Sequence, residues 1–180
     1  MKKKLSLATL CVAAVTMTAV FGMHAFAGGG KTNLRADMLT GYQESTPAAV
    51  SSPASGTFEA TIDDDAQSIS FTLTYTGLTA PITVSHIHLG DRAQNGGVSA
   101  FICGGGAQPN CPANSTSGTI TGTITAANVT GPAAQGIAPG EWQELVDALR
   151  AGATYVNVHD GTFPAGEIRG QINDDNQRQP

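Results

Sequence analysis

The chain's most direct chemical signal is a set of three histidines. Ser85-His86-Ile87-His88-Leu89 sets His86 and His88 two residues apart, and in an extended strand alternate side chains share a face, about 7 Å apart along the backbone. Neutral imidazole is a good ligand for copper or zinc, so such a pair can grip one ion. His159 ends Thr154-Tyr155-Val156-Asn157-Val158-His159. There Val156 and Val158 mark the core face, which leaves Tyr155, Asn157 and His159 on the other. In the following segment Ile168 and Ile172 are the apolar set, with Glu167, Arg169 and Gln171 opposite. A hairpin across residues 160–166 with its apolar faces aligned brings Glu167 and Arg169 beside Asn157 and His159. The chemistry open to these residues is a metal site of His86, His88 and His159, with Asn157 or Glu167 orienting an imidazole or supplying a ligand. The alternative is a buried hydrogen-bond and ion-pair network of the same residues that fastens the strands together.

The elements that must position these groups read as strands. Ile69, Phe71, Leu73 and Tyr75 alternate with Ser70, Thr72 and Thr74, and Phe58, Ala60 and Ile62 alternate with Thr57, Glu59 and Thr61. Asp63-Asp64-Asp65 between them supplies turn residues, so the pair is expected as a hairpin. The acidic triplet lacks the alternating ligands and distal Glu of an EF-hand. Further strands are expected at Leu34–Thr40, Ile82–Leu89, Val98–Ile102, Thr119–Thr125, Thr154–His159 and Glu167–Ile172. Short strands separated by Gly, Pro and Asn clusters imply an all-β fold, a Greek-key-like antiparallel β-sandwich. One short helix is expected at its end: Trp142, Leu145, Val146 and Leu149 recur at helical spacing, with Gly152 placed to stop it.

Lys2, Lys3 and Lys4, the uncharged run from Leu5 to Phe21 and Ala25-Phe26-Ala27 have the layout of a secretory signal. Residues 1–27 are therefore expected to be cleaved, against the alternatives of a membrane anchor or a lipid anchor, leaving residues 28–33 and 174–180 as flexible ends. Cleavage takes three lysines and leaves 14 acids against 6 bases, a net of −8. That balance argues against nucleic-acid binding, which needs a basic footprint. It also removes His24 and Cys11, so His86, His88 and His159 are the remaining histidines and Cys103 and Cys111 the remaining cysteines. In an oxidising compartment an even pair reads as one disulfide, closed across Gly104-Gly105-Gly106-Ala107-Gln108-Pro109-Asn110.

Several stretches resemble the CHRD (chordin-type) domain: Thr83-Val-Ser-His-Ile-His-Leu-Gly90, Gly122-Thr-Ile-Thr-Ala-Ala-Asn128, the segment from Glu144 to Gly152, Leu39-Thr-Gly-Tyr-Gln-Glu44 and, most specific, Tyr155-Val-Asn-Val-His-Asp-Gly-Thr-Phe-Pro-Ala-Gly-Glu-Ile-Arg-Gly-Gln171. The resemblance spans roughly residues 34–173. Where the family pattern usually has Thr after its Val-His or Ile-His pair, this chain has Asp160 and Gly161. The resemblance implies an extracellular β-sandwich module; chordin-like proteins carry it beside growth-factor-binding modules, and bacterial members are exported.

Three functions follow as expectations. The first is an exported noncatalytic binding module that holds copper or zinc through His86, His88 and His159. The second is a copper redox enzyme, by analogy of His-Ile-His with the His-x-His of copper-zinc superoxide dismutases, although three histidines fall short of a bridged two-metal site. The third is an adhesion or partner-binding domain facing an unidentified protein of the envelope or matrix, with purely structural histidines. No Gly-x-Ser-x-Gly elbow is present, and bridged cysteines are not nucleophiles.

Overall fold

The computed structural model describes residues 30–174. The basic and apolar segment of residues 1–27 and the end of the chain from residue 175 lie outside the described residues.

Every segment with period-two alternation forms a strand. In chain order they are β1 (Lys31–Thr40), β2 (Ser55–Asp63), β3 (Ser68–Thr76), β4 (Ile82–Leu89), β5 (Val98–Cys103), β6 (Gly118–Thr125), β7 (Thr154–Asp160) and β8 (Ile168–Asp174), with one helix, α1 (Trp142–Arg150), between β6 and β7. β1 starts earlier than the alternation suggests, because Lys31, Thr32 and Asn33 pair with Asp63, Ile62 and Thr61 of β2. Lys31, Thr32 and Asn33, expected within a flexible segment over residues 28–33, are in β1, and Asp174, expected in the tail, ends β8; residues 28 and 29 lie outside the described residues.

All pairings are antiparallel, in the order β5-β4-β7-β8-β1-β2-β3-β6. The all-β antiparallel fold with one short helix is as expected, and the β-sandwich is built as one continuous, nearly closed sheet curled around a single core. The β3–β4, β5–β6 and β6–β7 connections each pass between the two halves of the curl, which are joined where β8 pairs with β1. An isolated bridge between Ala100 and Val129 ties the β5 edge to the segment after β6.

The core is what the alternation selects. Phe58, Ile62, Ile69, Leu73, Ile87, Val156, Val158, Ile168 and Ile172 are fully enclosed. Burying each such side chain contributes about 1.5–3 kcal/mol. Trp142, Leu145, Val146 and Leu149 are the buried residues of α1, which packs against β8. The helix ends in Schellman hydrogen bonds, Gly152 N–H to Leu149 O and Ala153 N–H to Ala148 O. Arg150 in its last turn donates to Thr32 Oγ1 and to the Asp64 carboxylate at 2.7 Å. Asp64 thus belongs to a turn that also anchors the helix.

β7 departs from a half-buried strand, since all of Thr154–Asp160 is buried. One face meets the apolar core. The other is covered by residues 41–50 and 89–97, which lie over β4, β7 and β8 and enclose a layer of polar side chains.

Candidate metal centre

Strand register builds this layer. His86 pairs with Asn157, His88 with Tyr155 and Val84 with His159 across β4 and β7, while Asn157 pairs with Arg169 and Tyr155 with Gln171 across β7 and β8. Directly opposed residues share a face. His86, His88 and His159 are 8%, 9% and 7% exposed, and one ring nitrogen of each lies within 4.8 Å of the others. His88 Nε2 is 3.3 Å from His86 Nδ1. Two nitrogens bound at about 2.0–2.1 Å to one tetrahedral ion stand about 3.4 Å apart, so this pair is already at ligand spacing. The widest separation in the group closes with a ring shift on the order of 1 Å.

Backbone carbonyls fix two tautomers. His88 Nδ1 is 3.0 Å from Gly96 O and His159 Nδ1 is 3.1 Å from Pro164 O. A carbonyl only accepts, so each Nδ1 carries the hydrogen and each Nε2 presents a lone pair. His159 Nε2 is buried and finds no partner among the described residues. Gly96 has to be glycine for this arrangement, since a Cβ there would sit 1.5 Å from Leu89 O.

Burial is the main reason all three rings stay neutral. It lowers His86 to about 3, helped by the neighbouring His159 and His88. It lowers His88 to about 4, with further lowering by His159 and Arg169 against the opposing Gly96 hydrogen bond. It also lowers His159, against the Pro164 hydrogen bond and the Asp160 charge. Neutral imidazole is the form that ligates metal.

Aromatic and cationic groups wall the cluster. The Tyr155 ring stacks on His88, with centroids 4.7 Å apart and planes 2° from parallel, and the Arg169 guanidinium lies 3.4 Å above the other side of Tyr155. Arg169 also donates to Ser45 Oγ and Asp91 O. Phe101 of β5 meets His86 edge-on at 4.7 Å. Its ring packs on Gly105 and Gly106 of the loop closed by the Cys103–Cys111 disulfide.

The polar residues expected around the histidines divide into two groups. Asn157 and Arg169 join the layer, where the Asn157 amide donates to Glu44 Oε2 at 3.3 Å. Glu44 is 5% exposed, and its second oxygen and Asn157 Oδ1 have no partner among the described residues. Burial raises Glu44 to about 7 despite the opposing Arg169 charge and the Asn157 and Ser45 hydrogen bonds. Glu167 turns away from the imidazoles: it accepts from Thr79 N–H, Thr79 Oγ1 and Ser52 Oγ and closes the end of the curl. Orientation of the histidines by Glu167 or Asn157 is thus replaced by orientation through Gly96 and Pro164 carbonyls. Asp160 accepts from the N–H groups of Ala80, Thr162 and Phe163. That accounts for an acid where the family pattern has Thr. Glu44, Gly96 and Pro164 escape a reading by periodicity; the signal at hand was Glu44 ending one of the quoted family stretches.

A curled antiparallel sheet with a polar layer buried between β4, β7 and β8 and two covering loops defines a β-rich binding module. The CHRD domain model matches residues 36–172, and the chain belongs to that family. No curated protein and no solved structure matches it.

Proposed function

We propose that this protein is an exported, noncatalytic CHRD module that holds one transition-metal ion, copper or zinc, through His86, His88 and His159. The observation that carries the reading is the bare Nε2 of His159, buried and aimed at two other neutral imidazoles. An unpaired buried polar atom costs about 1–3 kcal/mol, and an ion bound to it recovers that cost. The Gly96 and Pro164 carbonyls hold two of the rings with their lone pairs inward, as outer partners of metal-bound histidines do. When bound, the ion would be held by the three imidazole nitrogens and would supply a Lewis-acidic centre. The chain's own residues orient the rings, keep them unprotonated and restrict water.

Export is supported by the signal-like residues 1–27 and by the Cys103–Cys111 disulfide. No helix of the described residues is long and apolar enough to cross a membrane. The partner we propose is a protein of the envelope or matrix.

Calorimetric titration with copper and zinc tests the site. One ion per chain is expected, with His86→Ala/His88→Ala losing it. At free metal about 100-fold above Kd the fold should gain about 2.7 kcal/mol. Absence of stoichiometric binding of zinc and of copper in either valence by the wild type removes the proposal and leaves the histidines as a structural network.

A further inference from the structure

The charges around the cluster bear on which ion it takes. Among the described residues the group offers three imidazole nitrogens and no carboxylate or thiolate. Asp160, next to His159, has its carboxylate engaged by three backbone N–H groups. On the opposite side Arg169 stands one aromatic ring beyond His88. Glu44 lies against Asn157, and no ion pair is formed between it and Arg169. The site therefore has no anionic donor to neutralise an ion, and the fixed charges at its two ends oppose each other.

Two consequences follow for a bound cation. The penalty for taking an ion out of water grows with the square of its charge, so at similar radius a divalent ion costs about four times as much as a monovalent one. Divalent zinc also completes a four-coordinate shell with water where protein supplies three ligands. Here the three rings are each more than nine-tenths buried, which leaves little space for that water shell. A monovalent ion satisfied by three nitrogen donors reduces the first cost and avoids the second, and imidazole suits copper.

We propose that the histidine cluster selects copper(I) over copper(II) and zinc(II). This rests on the metal-holding reading above and adds the valence of the ion. The Arg169–Tyr155–His88 stack is part of the selection, because a guanidinium placed behind a ligand ring offsets the attraction of the Asp160 carboxylate for a second positive charge. Phe101 contributes by packing an apolar edge on His86.

The test compares three ions on the purified chain near neutral pH: copper(I), kept reduced with ascorbate and competed with bicinchoninate, and copper(II) and zinc(II) by calorimetry. Copper(I) should bind one per chain at least about tenfold more tightly than either divalent ion, whose own order puts copper(II) ahead of zinc. His86→Asp, which adds an anionic donor, should move the preference toward the divalent ions. Equal or tighter binding of copper(II) or zinc by the wild type overturns the valence preference while the three-histidine site stands. Failure of all three ions to bind overturns both. The wild-type comparison decides the matter whether or not the Asp variant folds.

Discussion

Glu44 gives the sharpest quantitative test of the buried polar layer. It faces Asn157, whose amide donates to one carboxylate oxygen, while the other oxygen and Asn157 Oδ1 are both buried without partners. A Cβ placed on Gly166 would meet Asn157 Oδ1 at 2.5 Å and Glu44 Oε1 at 2.7 Å, so these two acceptors converge on one spot. A proton on Glu44 lets the acid and the amide bond at two points, and burial lifts the group from its ordinary 4.5 to about 7. In the unfolded chain the carboxyl loses its proton near 4.5, while in the fold it keeps it to about 7. Over that window the folded state binds more protons, so this group's contribution to stability falls as pH rises. At about 1.4 kcal/mol per pH unit the loss is on the order of 3 kcal/mol once pH exceeds 7. Glu44→Gln reproduces the protonated acid with an amide at every pH. It should match wild type near pH 4 and exceed it by roughly 3 kcal/mol near pH 8, a rise in Tm on the order of 10 °C for a domain of this size. Urea unfolding of both proteins across this pH range is the assay. A constant difference between them, or a variant that is weaker at the alkaline end, would refute the neutral-acid reasoning.

Three further outcomes are expected. His86 and His88, held at about 3 and about 4 against an ordinary 6.5, take up protons on unfolding, so the stability they confer is present above 6.5 and is lost as pH falls toward those values; His88→Gln should flatten that acid limb in denaturant titrations. Replacing Cys103 and Cys111 by Ser opens a loop of sequence separation 8 and should cost about 2.5 kcal/mol, read as a lower urea midpoint matched by the reduced wild type. Gly166→Ala meets a backbone at φ +127° as well as the Glu44 and Asn157 side chains, and a loss of at least about 1–3 kcal/mol is expected by thermal unfolding, with an unchanged Tm counting against the packed geometry described.

Much of this arrangement can be read from the residues because a period of two is unambiguous wherever one face is apolar. Val156 and Val158 on β7 and Ile168 and Ile172 on β8 fix the register, and the register alone brings Asn157 beside Arg169 and His159 to the side of His86. The curl of the sheet was less legible, since alternation says which face is buried and nothing about whether two sheets or one enclose it. Burial of the second face of β7 was hidden for a related reason. Tyr155, Asn157 and His159 lie on the face away from Val156 and Val158, and what covers them, residues 41–50 and 89–97 and the Pro164 carbonyl, comes from outside the strand. Glu167 shows the limit of same-face reasoning: it precedes the ladder of β8 and is captured by Thr79 and Ser52. The carbonyls of Gly96 and Pro164 act through backbone atoms, which side-chain patterns do not report.

The pairing of β4 with β7 carries a further consequence. His86 and His88 meet His159 only because two strands far apart in the chain align in one register. A slip of a single residue would send both β4 histidines to the opposite face. The three-nitrogen cluster is therefore a molecular caliper for correct strand pairing. Under the metal-holding reading, the fraction of chains that hold one ion through all three nitrogens counts the fraction that has folded in register, and an ion offered before folding meets at most the His86–His88 pair.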